Sequence, residues 1–178
     1  MKAPIQTARL HFVPFDQTDL PVMTALVNDR EVSRMMCSFA FPFTPAHAQS
    51  WWQQKRASAA KGDSHLFAIR LQGQGLIGII GMDRKPDQLF NLGYWLGKPF
   101  WGKGYASEAA SSFINWAETE RNVKAITADF FADNPSSERV LAKTGFLRTG
   151  VNEKMSSLAR QTDTMSIGMI WLGQTAHG

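Results

Sequence analysis

Residues 92–117, LGYWLGKPFWGKGYASEAASSFINWA, constrain the fold of this chain more than any other stretch. An apolar run at 92–96 reads as a strand. It leads into the glycine turn Trp101-Gly102-Lys103-Gly104-Tyr105-Ala106. Apolar residues then recur at Ala106, Ala109, Ala110, Phe113, Ile114 and Ala117, which is helical spacing. A strand, a glycine turn and a helix start make an anion site. The first N–H groups of a helix lack internal partners, and the helix dipole favours negative charge there. Glycines let a phosphate approach the backbone closely. The segment therefore predicts a grip on a phosphorylated ligand.

Three phosphate loops compete for this reading. Gly97 to Lys103, GKPFWGK, fits seven positions of a Walker A loop. The eighth should be Ser or Thr to hold magnesium, and here it is Gly104. A dinucleotide fingerprint needs a third glycine where Ser107 stands. The third reading is a pyrophosphate loop of the acyl-coenzyme A type, Trp101-x-x-Gly104-x-Ala106. The string Trp101 to Ala109, WGKGYASEA, is similar throughout to the loop of ribosomal-protein N-terminal acetyltransferases, a branch of the GNAT superfamily. The block 133–146, DNPSSERVLAKTGF, resembles a second motif of that branch. Arg9-Leu10, the Pro42-Phe43-Thr44 turn and Ala159-Arg160 are similar as well, so the resemblance spans almost the whole chain.

That resemblance implies a set of roles. Acetyl-coenzyme A is the cosubstrate, and no metal is needed. Tyr94, Trp95 and Leu96 on the strand would face it, one backbone N–H there serving the oxyanion. Gly102, Lys103, Gly104, Tyr105 and Ala106 would hold the pyrophosphate, with Trp101 beside them in contact or in packing. Asn134 would meet the pantetheine arm, besides capping its helix. Ser137 would stabilise or protonate the leaving thiolate, and Arg139 and Lys143 would approach the nucleotide end. Met35, Phe39, Phe41 and Trp51 would border the acceptor, a protein or peptide N-terminal amine or a small amine. A non-catalytic coenzyme-binding module keeps the same loop.

The residues themselves add limits. With 178 residues, 44% apolar and 19% charged, the chain predicts one globular domain at 1–173 and a tail at 174–178. A net charge of +4 suits an anionic ligand, while the absence of a dense Lys/Arg block disfavours nucleic acid. The single cysteine, Cys37, excludes an internal disulfide, and it has no recognisable His partner for covalent catalysis. Its four histidines show no metal spacing. No signal-peptide core or membrane-length apolar run is seen, so the expectation is a cytoplasmic protein, monomer or homodimer. Asp83 and Asp129, near strand ends, are acid–base candidates, and Glu108 reads as structural.

Elements follow from periodicity and punctuation. Strands are expected at 9–14, 66–71, 76–82, 92–96, 125–131, 146–152 and 164–171. A first helix carries Leu20, Met23, Leu26 and Val27, and breaks at Asn28-Asp29. Thr44 and Pro45 start another, and Asn134, Pro135 and Gly145 bracket a third after the loop helix. The order is β-α-α-β-β-β-α-β-α-β-β. It predicts a mixed α/β sheet of about seven strands, mostly antiparallel, with helices on both faces and one right-handed parallel crossover. It also resembles the GNAT fold, whose parallel pair splays apart.

Overall fold

The computed structural model describes residues 5–173, and the expected tail at 174–178 lies outside them. The chain runs β1 (Leu10–Pro14), α1 (Leu20–Val27), α2 (Arg30–Ser33), α3 (Pro45–Ala60), β2 (Ser64–Leu71), β3 (Gly75–Arg84), β4 (Phe90–Leu96), α4 (Tyr105–Arg121), β5 (Ala125–Phe131), α5 (Pro135–Lys143), β6 (Leu147–Ser157) and β7 (Thr162–Leu172). One seven-stranded sheet has the order β1-β2-β3-β4-β5-β7-β6. All neighbours pair antiparallel except β4 and β5. Among the described residues no helix is long and apolar enough to cross a membrane.

The sheet is covered on both faces. Strand β3 therefore reads LIGIIGM without alternation, and all of that run is buried. On one face α4 and α5 bury Phe113, Ile114 and Leu141 against Phe12, Ile69 and Ile80. On the other, α1 and α3 bury Met23, Val27 and Ala48 with Phe15, Phe39, Ile79 and Trp95. Caps set the helix starts as the sequence predicts. Thr44 accepts from the His47 N–H, with Pro45 first in α3, and Asn134 accepts from the Ser137 N–H, with Pro135 first in α5.

The feature that makes room for a ligand lies at β4 and β5. They are in register only at Phe90↔Ile126, Asn91↔Thr127 and Leu92↔Ala128. Beyond that point β4 stays with β3 as far as Leu96, and β5 stays with β7 as far as Phe131. The two strands part, each held by its outer neighbour. Asn91 donates to Thr127 Oγ1 (3.1 Å) and Asp129 Oδ2 (2.9 Å) where they separate.

The β6–β7 hairpin departs from expectation. Its strands reach Ser157 and start at Thr162, well beyond 152 and 164. β6 is an edge strand exposed along nearly all its length, so Asn152, Glu153 and Lys154 pair through their backbones alone. Apolar periodicity cannot mark such a strand. Phe146 is buried but precedes β6.

His65 on β2 lies between the rings of Phe90 and Trp116, with the Arg121 guanidinium against it. Burial, then the charges of Arg121 and Arg84, lower its pKa from 6.5 to about 4. The unfolded chain takes up this proton near pH 6.5, and the folded protein only near 4. The stability His65 contributes is therefore full above about pH 6.5 and lost as pH falls toward about 4. Between about pH 7 and about pH 4.5 the unfolding free energy of the wild type should fall more steeply than that of His65→Gln, measured by denaturant titration. Equal slopes would contradict this assignment.

Candidate active site

The parted strands open into a cleft of about 920 Å³. Its two ends are built differently.

At one end the chain leaves β4 through a 3₁₀ turn, Lys98–Phe100, into the glycine turn. Gly102 and Gly104 have φ of +73° and +80°, a conformation that side chains with a Cβ resist. Gly104 is the N-cap of α4, so the unpaired N–H groups of that helix's first turn stand at the cleft. Trp101 Nε1 donates to the Leu96 carbonyl (2.8 Å), tying the turn to the strand end. Lys103 folds back instead, its Nζ donating to the Pro99 carbonyl (2.9 Å).

The turn is braced from behind by residues that sequence reasoning did not connect. Arg9 donates to the Lys103 carbonyl (3.0 Å) and to Glu108 Oε2 (2.7 Å), and Thr7 donates to Glu108 Oε1 (2.5 Å). The Arg9 guanidinium lies over the Tyr105 ring. Burial acts to raise the Glu108 pKa, but the hydrogen bonds from Thr7 and Arg9 outweigh it and the carboxyl is held low. The Glu108 carboxylate is thus committed to bracing the turn.

The strand supplies backbone donors. Gly97 N–H donates to the Ile77 carbonyl on β3 (2.9 Å). Antiparallel ladders alternate, so the N–H groups of Tyr94 and Leu96 turn the other way, toward the gap beside β5. The Tyr94 side chain reaches α5, where its hydroxyl lies 2.8 Å from Ser137 Oγ. Burial pushes the Tyr94 phenol up to about 12, partly offset by the Ser137 hydrogen bond, so it keeps its proton at neutral pH. Trp95 turns to the opposite face, its ring packed beside Phe39. Arg139 and Lys143 on α5 line the cleft and have no ion-pair partner among the described residues.

The other end is walled by the segment after α2. Met35, Phe39 and Trp51 line it, whereas Phe41 lies outside the lining and is 38% exposed. Asp83 accepts from Ser64 Oγ (2.7 Å) and is ion-paired with Lys55, so its carboxylate is committed to α3 and β2. Partial burial, then the Asp129 charge, raises the Cys37 pKa, which disfavours the nucleophilic thiolate.

A clasp fixes this wall. Arg160, in the β6–β7 turn, donates to both oxygens of Asp133 (2.8 Å each) and to the Arg34 carbonyl (2.7 Å). Arg34 donates to Asp133 as well (2.6 Å). Ser157 Oγ donates to the Met36 carbonyl and Leu158 N–H to the Cys37 carbonyl. The Arg160 hydrogen bonds are the main cause that holds Asp133 below its usual carboxylate range. Asp133 precedes Asn134, so one carboxylate joins the α5 start to the far wall.

A family model for the acetyltransferase (GNAT) domain matches residues 9–147. The chain belongs to the GNAT acetyltransferase family. An uncharacterised N-acetyltransferase, p20, of Bacillus licheniformis is 28% identical over 151 residues, 83% of this chain and 84% of its own. Among solved structures, a ribosomal-protein-S5-alanine acetyltransferase from Vibrio fischeri superposes with a TM-score of 0.81 at 18% identity, covering 99% of this chain and 100% of its own. A spermidine N-acetyltransferase from Vibrio cholerae, in complex with CoA and spermine, gives 0.77 at 16% identity over 93% and 96%. The mixed sheet with its single parallel pair is thus the GNAT fold, and the chain is an acetyltransferase.

Asp133→Ala should free the wall of this GNAT domain from α5 while leaving the sheet intact. Amide exchange at Leu158 and across residues 34–37 should quicken at least about tenfold, with exchange in β3 unchanged. Unaltered exchange at Leu158 would show that Asp133 does not hold the wall.

Proposed function

We propose that the chain transfers an acetyl group from acetyl-coenzyme A to a primary amine, most favourably the N-terminal α-amine of a protein or peptide. The observation that carries this reading is the continuity of the cleft, from the glycine turn of α4, along the gap-facing edge of β4, to the wall at residues 35–39. The residues present fit the donor. The α4 N-terminus and the cations Arg139 and Lys143 suit its phosphates. Tyr94 and Leu96 offer N–H groups to its extended arm and thioester carbonyl.

The donor supplies an activated acetyl group as a thioester. The chain must then position an amine, stabilise the oxyanion and protonate the departing sulfur. Bringing two substrates together in register supplies much of the rate. A backbone N–H of β4 at the gap meets the developing oxyanion. The Tyr94 and Ser137 hydroxyls lie 2.8 Å apart, and with the Tyr94 proton on Ser137 Oγ the Ser137 proton is free to point at the sulfur. A phenol held protonated up to about 12 keeps a proton available for that bond at neutral pH.

Base demand favours an α-amine. Its pKa near 7.7–8.0 leaves roughly a tenth neutral at pH 7, while a lysine near 10.4 is neutral only about once in a few thousand. With Asp83 paired, little base strength is on offer, and an α-amine needs little.

The relatives include enzymes named for a ribosomal protein and for spermidine, so charge must choose between those acceptors. The carboxylates lining the cleft are Glu31, Asp83, Asp129 and Asp133. Each has a cation within ion-pair range, supplied by Arg34, Lys55, Lys85 and Arg160. A polyamine carries several ammonium groups and calls for unneutralised carboxylates. The balanced wall suits a single amine.

Purified protein with acetyl-coenzyme A should acetylate peptides bearing a free N-terminus and spare blocked peptides that keep an internal lysine. Preferential turnover of spermidine would overturn the acceptor class but not the acetyl transfer. Ser137→Ala should lower kcat by about tenfold or more with acetyl-coenzyme A affinity nearly unchanged, as expected for a contact made only in the transition state. Wild-type kcat in that variant, with chemistry rate-limiting, would remove Ser137 from the mechanism.

A further inference from the structure

Gly93 lies within β4, a central strand of the sheet, yet it is exposed. A Cβ built on it meets no heavy atom within 4 Å. Its cross-strand partner is Gly81, where a Cβ would lie 2.5 Å from the His65 carbonyl oxygen. The two glycines therefore serve different ends. Gly81 permits a close backbone approach, whereas Gly93 leaves the sheet bare.

The side of this opening follows from strand alternation. Residues two apart share a face. Trp95 and Ile79 pack into the α1–α3 core, so Gly93 faces that side too. Tyr94 faces α5. Between Trp95 and Asn91 the α1–α3 face thus carries no β4 side chain. Across the cleft stand Met35, Cys37, Phe39 and Trp51. The next residue's N–H, that of Tyr94, turns into the gap where the thioester carbonyl would be held.

We infer that Gly93 is the floor of the acceptor subsite and sets how bulky a group the amine-bearing carbon can carry. The inference rests on the amine-transfer reading above. An amine attacking a carbonyl held at Tyr94 has its α-carbon beside position 93. A linear amine needs no room there. An N-terminal residue with a side chain does, and the bare backbone provides it. The acceptor class is accordingly a branched α-amine, the first residue of a peptide with its side chain over Gly93.

The test uses Gly93→Ala and Gly93→Leu. The backbone at Gly93 does not take a positive φ, and glycine is a poor strand former, so neither variant should lower the unfolding midpoint. Calorimetry should find acetyl-coenzyme A affinity within about twofold of wild type, because the donor lies along the β4 edge, not over this face. For peptides beginning with Ala, Ser or Leu, kcat/KM should fall at least about tenfold in Gly93→Leu and less in Gly93→Ala. A peptide beginning with Gly should lose least. A wild type that acetylates no free N-terminus overturns the peptide-acceptor reading and the floor with it, whether or not it acetylates a small amine. An active wild type whose Gly93→Leu variant keeps full kcat/KM overturns the floor alone. So does an equal loss on glycine and branched N-termini, or a large loss of donor affinity.

Discussion

The parting of β4 from β5 after Leu92 and Ala128 is the constraint on which the rest of the structure depends. A sheet that stayed paired would have neither a cleft nor donors to line one. Backbone groups abandoned by a neighbour are costly when buried, so a splay persists only where another partner or a ligand can satisfy them. Here the outer ladders, β3 with β4 and β5 with β7, continue while the inner edge opens. The freed edge of β4 then leads directly into the glycine turn, so strand donors and helix donors form one line.

Electrostatics divides that line. The α4 N-terminus, Arg139 and Lys143 make one end attractive to phosphates. At the other end carboxylates and cations are matched, and the Asp133 clasp uses its charges to hold a wall. Between the ends, desolvation favours protonated side chains. It pushes the Tyr94 phenol up to about 12 and raises the Cys37 thiol. The second disfavours the thiolate that an acyl-cysteine route would use.

Much of this was legible in the sequence because it is local. The glycine turn, the helix spacing of 106–117 and the Asn134-Pro135 cap each lie within a few residues. The mixed sheet with one parallel pair followed from element order. What stayed hidden is non-local and polar. Arg9 and Glu108 are 99 residues apart, as are Arg34 and Asp133, and no periodicity announces such ion pairs. Gly93 gave no sign either, since an open floor and an ordinary strand glycine are written identically. Phe41, placed at the acceptor by resemblance, is turned outside the cleft lining, and Lys103 is turned back onto Pro99. Motif strings fix the backbone of a loop better than the direction of its side chains.

In the proposed complex the donor lies in the gap between β4 and β5 and ends at the α4 turn. Amide chemical-shift mapping of the isotope-labelled protein during titration with acetyl-coenzyme A tests this without needing an acceptor. The largest shifts should fall on Tyr94, Leu96 and the amides of residues 102–106, with those of the β1–β2 edge unmoved. Saturable binding that leaves Tyr94 and Leu96 unchanged, and shifts amides elsewhere on the sheet, would contradict the central role given to the splay.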